Sequence, residues 1–147
     1  MRGPVVLALA AALLAPAVVA SAAKPARPYS GTTSIDTHVG FRLSAGQVRG
    51  FAIGYVAQCD DGETLRGTYR FKPVKVSDGR FAVKGPSSGA LADGRTTASQ
   101  LRLGGRFTGR RARGAFSITT QLARLDGQGV TTCRSGRVTW KASRTLS

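Results

Sequence analysis

Five arginines are concentrated in a twelve-residue segment in the second half of the chain: Arg102, Arg106, Arg110, Arg111 and Arg113. Guanidinium groups bind phosphate, carboxylate or sulfate through paired hydrogen bonds, most effectively when a rigid turn holds them. The run from Arg110 to Arg113 lies between two glycines and is predicted to form a hairpin tip. These five arginines are the candidate anion-binding residues. The alternative is that they only keep the surface solvated and prevent strand edges from aggregating.

The charge of the whole chain favours the same class of partner. Lysine and arginine outnumber aspartate and glutamate by 22 to 7, which gives a formal net charge of +15. A strongly basic exported protein is expected to meet anionic cell-wall polymers and acidic polysaccharides. Specific nucleic-acid binding is not predicted, because the sequence contains no motif that would present aromatic side chains as a stacking platform.

The single histidine, His38, is the candidate residue for an enzymatic hypothesis. Ser34, Asp36 and His38 alternate, but neighbours two positions apart on a strand are separated by ~6.5–7 Å and their side chains run parallel, whereas a catalytic triad must converge. A second hypothesis pairs His38 with Glu63, the only glutamate, as acid and base in a small basic secreted hydrolase or nuclease. No motif surrounds either residue, so a non-catalytic protein is favoured.

The residues that could bind a metal are too few or wrongly spaced. Asp60, Asp61 and Glu63 form one acidic cluster, but they lack the alternating ligand pattern of a calcium loop. Two cysteines and one histidine cannot supply the four ligands of a structural zinc site. The sequence therefore predicts no metal and no cofactor, and it favours a solvated turn for the acidic cluster.

Cys59 and Cys133 are the only cysteines, and they are predicted to form a disulfide. They lie 74 positions apart. An even cysteine count in an exported protein is typical of disulfide pairing. The chain-entropy model gives a cross-link over a loop of this length a stabilisation of roughly 4 kcal/mol.

Residues 1–23 are predicted to be a cleavable signal peptide. Arg2 supplies the positive charge, an apolar run extends from 5 to 14, and small residues place the cleavage after Ala20 or Ala23. The apolar run is too short to cross ~30 Å of hydrocarbon, and no second hydrophobic segment follows it. The mature protein is therefore expected to be secreted and to have no transmembrane segment.

The remaining chain is predicted to be a short flexible lead, residues 24–30, followed by a single all-β domain over residues 31–147. Short apolar runs alternate with polar residues, and Asp-Gly and Gly-rich turns separate them, which predicts about eight or nine antiparallel strands. Both an antiparallel β-sandwich and a small β-barrel satisfy this pattern. Trp140 is predicted to lie in the core, Tyr29 to be exposed, and residues 84–99 to form a mobile loop.

Several local patterns occur along residues 30–144. They are Gly31-Thr32, Val39-Gly40-Phe41-Arg42-Leu43, Cys59 before an acidic turn, Asp78-Gly79-Arg80-Phe81, Gly105-Arg106-Phe107, Ala112-Arg113-Gly114-Ala115-Phe116 and the segment from Cys133 to Ala142. Together these patterns resemble the uncharacterised secreted β-rich proteins that are common in actinobacteria. These motifs are structural, so the resemblance implies a β-rich fold and export and assigns no activity.

The sequence thus favours a non-catalytic secreted binding module that contacts anionic cell-envelope or extracellular polymers through its arginines. Two alternatives stay open. One is the small basic hydrolase or nuclease that uses His38. The other is a structural or protein-interaction module that docks a partner through a sheet edge or through the predicted loop at 85–99.

Overall fold

The computed structural model describes residues 24–146, so the predicted signal peptide lies outside the described residues. The described part contains ten β-strands and no helix. The strands are β1 (Arg27–Thr33), β2 (His38–Ser44), β3 (Gln47–Cys59), β4 (Thr64–Arg70), β5 (Val74–Lys75), β6 (Arg80–Ala90), β7 (Thr96–Thr108), β8 (Arg111–Ala123), β9 (Val130–Arg134) and β10 (Val138–Arg144). The predicted all-β class is confirmed.

The strands close into a barrel rather than stacking as two separate sheets. Six antiparallel strands form a closed ring in the order β1, β2, β3, β9, β8, β10 and back to β1. The other four extend from this ring, with β4 and β5 paired to β3, β7 paired to β8, and β6 paired to β7. Of the two architectures that the sequence left open, the structure has the barrel.

Aromatic side chains fill the interior because every second residue of each strand points inward. The Phe51 ring lies 5.2 Å from Phe41 and 5.3 Å from Trp140, measured between ring centroids. Phe81 on β6 packs 6.0 Å from Trp140, so an outer strand shares the same core. Trp140 is 3% exposed, which confirms its predicted position.

A disulfide joins Cys59 and Cys133, as predicted. The two cysteines face each other directly in the register of β3 and β9. These two strands share only the pairs Gln58–Arg134 and Cys59–Cys133. The covalent bond therefore reinforces the shortest pairing in the six-stranded ring.

The prediction of a loop at 84–99 is wrong. β6 continues to Ala90, β7 begins at Thr96, and every residue of β6 is paired with a residue of β7. Ser87 and Ser99 occupy inward positions in this stretch, so the apolar alternation disappears although the strands continue. Ser99 and Thr120 are hydrogen-bonded through their hydroxyls at 2.8 Å, and the Tyr69 hydroxyl donates to Ser87 Oγ at 2.7 Å.

The flexible lead predicted for residues 24–30 is wrong from Arg27 onward, because β1 begins there. Tyr29 is 4% exposed and stacks on Phe41 with 4.9 Å between ring centroids, so the prediction of an exposed tyrosine is also wrong. Pro28 has no backbone N–H to donate to a neighbouring strand, but its carbonyl accepts a hydrogen bond from the Thr145 N–H. The proline is therefore accommodated as the second residue of the strand instead of preventing it.

Candidate functional site

The outer surface of five neighbouring strands forms a groove of about 1340 Å³. These strands are β6, β7, β8, β10 and β1, which are hydrogen-bonded in that order. Because their inward side chains fill the core, the alternate residues point outward and line the groove. The register of the strands therefore determines which side chains lie next to one another.

One row of cationic side chains crosses four strands in register. Arg80 on β6 lies opposite Arg106 on β7, Arg106 lies opposite Arg113 on β8, and Arg113 lies opposite Lys141 on β10. All four side chains are exposed. Neighbouring strands are about 4.8 Å apart, so this first row is a closely spaced line of four positive charges.

A second row lies four residues further along the same strands. Lys84 is opposite Arg102, and Arg102 is opposite Ser117. Arg137, which directly precedes β10, lines the same part of the groove. Four residues of extended chain span about 13 Å, so the two rows form the two sides of the groove.

The floor between the two rows consists of small residues. Ala82, Gly104 and Ala115 are consecutive partners on β6, β7 and β8, and Thr139 continues this line on β10. Three of the four positions carry no side-chain atom beyond Cβ. The groove exists because long cationic side chains flank positions where the sheet surface is bare.

Carboxylates are scarce in the groove. Asp36 is the one acidic residue among the described residues that line it. The four ion pairs found within residues 24–146 engage Arg95, Arg124 and Arg134, and none of them includes a lining residue. The positive potential of the two rows is therefore left largely uncompensated by the protein.

The paired acids lie near the other end of the strands. The Arg95 guanidinium donates to both carboxylate oxygens of Glu63, at 2.6 and 3.0 Å, and to Asp93 at 2.8 Å. Arg134 pairs with Asp60 at 2.7 Å. Arg95 precedes Arg102 by seven residues, which is about 23 Å of extended chain. Charge is thus segregated along the barrel.

The side chains whose pKa values are shifted lie at the end of the barrel with the paired acids or in the interior. Hydrogen bonding to Glu63 raises the pKa of Arg95. The backbone N–H of Arg95 and then its side chain lower the pKa of Asp93, and the Gln128 N–H and Arg124 lower that of Asp126. Burial, followed by the proximity of Tyr69, raises the pKa of Tyr55. None of these groups lines the groove.

The structure separates the five arginines that the sequence grouped. Arg102, Arg106 and Arg113 line the groove. Arg111 and Arg113 both point outward, and Arg111 lines an adjoining depression of about 660 Å³ beside Thr108 and Ser143. The predicted hairpin tip is shorter than expected, since only Gly109 and Arg110 form the turn, and Arg110 lines neither depression.

Sequence reasoning missed four cationic residues of the groove: Arg80, Lys84, Arg137 and Lys141. Arg80, Arg137 and Lys141 each adjoin a buried residue in sequence, and Lys84 lies between two half-buried ones, which indicates outward positions. What brings them next to Arg102, Arg106 and Arg113 is the pairing between different strands, which places residues far apart in sequence side by side. No signal within a single strand reveals that pairing.

The residues of the enzymatic hypotheses do not converge. Ser34 Oγ accepts a hydrogen bond from the Thr139 N–H at 3.2 Å, and in the described residues no hydrogen bond links Ser34 or Asp36 to His38. His38 is the first residue of β2, and the next residue, Val39, pairs with Ile53 of β3, whereas Glu63 lies beyond the end of β3. The six residue steps from Ile53 to Cys59 alone span about 20 Å.

The acidic turn offers no open metal site among residues 24–146. Cys59, Asp61 and Glu63 bring potential ligand atoms within 4.8 Å of one another. The sulfur of Cys59 is consumed in the disulfide, and both oxygens of Glu63 accept hydrogen bonds from Arg95. Their geometry is that of a cross-linked turn.

Comparison with protein-family models and with curated protein sequences finds no match for this chain. The resemblance to secreted actinobacterial proteins therefore stays a prediction. Among residues 24–146 there is no helix with the length and apolar character needed to span a membrane.

Proposed function

We propose that this protein is a non-catalytic secreted binding module that holds a linear anionic polymer of the cell envelope or extracellular matrix along the basic groove. The observation that carries the proposal is the first row, in which Arg80, Arg106, Arg113 and Lys141 follow one another across four strands. Like charges directly opposite each other destabilise a sheet, so this row costs stability in the free protein. A bound polyanion relieves that repulsion.

The disulfide supports the proposed location. Disulfides persist in oxidising compartments, and Cys59–Cys133 is consistent with export by the predicted signal peptide. If the protein is secreted, the mass of the species isolated from culture medium will correspond to a chain that begins at Ser21 or Lys24. A full-length mass would contradict this part of the proposal.

The groove is tested by comparing two double variants that remove the same charge. Arg106→Ala/Arg113→Ala shortens the first row from its centre. The control, Arg66→Ala/Arg70→Ala, removes two exposed arginines from β4, which does not line the groove. Binding to isolated cell-wall material and to soluble anionic polymers is measured at fixed ionic strength.

The groove variant is expected to lose about tenfold or more in affinity, because it removes two charge-assisted contacts, while the control changes much less. Equal losses would show that only net charge matters and would overturn the proposal. Turnover of a polymer that disappears in His38→Ala would instead favour the hydrolase alternative. Salt-insensitive capture of a single protein would favour the interaction-module alternative.

A further inference from the structure

The shape of the groove indicates that its ligand is wider than a polymer with a single line of charged groups. The backbone positions of the two cationic rows are about 13 Å apart along the strands, whereas neighbouring strands within a row are about 4.8 Å apart. The long axis of the groove therefore runs across the strands, from β6 toward β1. A ligand that satisfies both rows carries anionic groups along both of its edges.

The floor indicates what lies between those edges. Ala82, Gly104 and Ala115 present methyl groups and bare backbone across three strands. Such a surface accepts a flat, weakly polar body at close approach and provides no partner for charge at its centre. The neighbouring aromatic residues Phe116 and Trp140 are 1% and 3% exposed, so they offer no face on which nucleobases could stack.

Hydroxyl groups occupy the end of the groove near β10 and β1. Thr32, Thr139 and Ser34 line it, together with Ser117 on β8. Ser34 Oγ accepts the Thr139 N–H, which leaves its own proton free to be donated outward. Hydroxyl side chains exchange hydrogen bonds with neutral hydroxyl groups, which a polyphosphate chain lacks and a sugar chain has.

We propose that the groove binds an acidic polysaccharide whose carboxylate or sulfate groups project from both edges of the chain. This inference rests on the proposed function and names its ligand class. The sugar rings lie on the floor of small residues, with the anionic groups on the two cationic rows and the ring hydroxyls near Thr139 and Thr32. The chain runs across the strands.

The decisive variant fills the floor and leaves every charge in place. Ala115→Leu puts a bulky side chain between the rows, and Ala82→Leu does the same from the exposed edge strand β6 if the first variant proves unstable. Ala98→Leu is the matched control, because Ala98 is exposed on β7 outside the groove. Circular dichroism and thermal unfolding confirm that each variant is folded.

The probes are an oligouronate, a linear inorganic polyphosphate with the same number of charges, and single-stranded DNA. The protein is expected to bind the oligouronate about tenfold more tightly than the other two at equal ionic strength. Ala115→Leu or Ala82→Leu is expected to remove about tenfold of the oligouronate affinity and to leave weak polyphosphate binding within about twofold. Ala98→Leu is expected to behave as the parent protein.

Two sets of results overturn the inference without touching the proposed function. One is that polyphosphate or DNA binds as tightly as the oligouronate, and the other is that a folded floor-filling variant binds the oligouronate normally. If no probe binds, or if Arg106→Ala/Arg113→Ala leaves all binding unchanged, the proposed function itself fails.

Discussion

Two glycines on adjacent strands make room for the tryptophan at the centre of the core. Gly105 and Gly114 are opposite each other on β7 and β8, and Gly114 is also opposite Trp140 on β10. A Cβ atom added at either glycine would lie 2.6 Å from Trp140 Cζ2. The indole ring therefore occupies the space that two side chains would otherwise fill.

Gly114→Ala is expected to destabilise the protein by about 1–3 kcal/mol or more, because the new methyl would also collide with the backbone carbonyl of Gly104, which cannot move aside. Gly104→Ala is the matched control. Its methyl would point into the groove and would meet only the Phe81 carbonyl oxygen at 3.9 Å. Urea unfolding measures the stability of both variants. Similar unfolding midpoints for the two would refute this account of the glycine pair.

Arg95 joins its own turn to the acidic turn and to the end of β8, at the end of the barrel away from the groove. Besides Glu63 and Asp93, its guanidinium donates to the Ala123 carbonyl at 2.8 Å. The side chains of Arg95 and Glu63 are only 13% and 15% exposed, whereas those of Arg134 and Asp60 are 56% and 63% exposed. Exposed ion pairs contribute little, so the Arg95–Glu63 pair is expected to contribute most to stability among the four.

The hydrogen bonds from Arg95 give the stability a specific acid dependence. They lower the pKa of Asp93 below its usual value of 3.8, so the unfolded state binds a proton more readily than the folded state. The stabilisation is therefore complete above that value and is lost as the pH falls below it. Asp93→Asn is expected to flatten part of the fall in melting temperature between about pH 5 and pH 3. Parallel curves for the variant and the parent would contradict this.

At the scale of the strands, the alternation of apolar and polar residues predicted which side chains point inward wherever the interior is apolar. It located Val138, Trp140 and Ala142 of β10 correctly, and all three are buried. It failed at 84–99 because Ser87 and Ser99 point inward there and form hydroxyl hydrogen bonds. A rule that equates inward with apolar cannot detect such strands.

The candidate site was predictable only in part for a different reason. Arg111 and Arg113 share a strand, so alternation alone places them on one side of the sheet. The opposite placement of Arg113 and Lys141, or of Arg80 and Arg106, depends on strand pairing between residues more than twenty positions apart. Many pairings satisfy one alternating pattern, and the packing of the whole core selects among them.

Among the strands, the disulfide holds the ring closed where its pairing is weakest, because β3 and β9 share only two residue pairs. Cys59→Ala/Cys133→Ala is expected to lower the free energy of unfolding by roughly 4 kcal/mol, since the cross-link restricts the unfolded chain. Urea unfolding with and without a reductant measures this. The reductant should shift the parent protein and have no effect on the double variant. If the urea unfolding midpoint of the parent protein did not change with the reductant, the disulfide would be dispensable for stability.

At the scale of the whole molecule, paired charges lie near one end of the barrel and unpaired positive charges near the other. The net charge is +15, and four of the seven acidic residues are held in ion pairs near one end. The groove at the other end keeps its cations unpaired among residues 24–146. Such a field attracts polyanions over distances longer than any contact and orients their approach toward the groove.

The salt dependence of binding distinguishes attraction by that overall field from contact within the groove. A bound polyanion loses affinity linearly in log–log coordinates as salt rises, and the slope grows with the number of cations that contact it. Arg106→Ala/Arg113→Ala is expected to reduce this slope by about two contacts, because both side chains belong to the first row. Arg66→Ala/Arg70→Ala removes the same charge from β4 and is expected to leave the slope almost unchanged. Identical slopes in the two variants would mean that the polymer contacts the surface indiscriminately, and the register of cations across β6, β7, β8 and β10 would then have no role in binding.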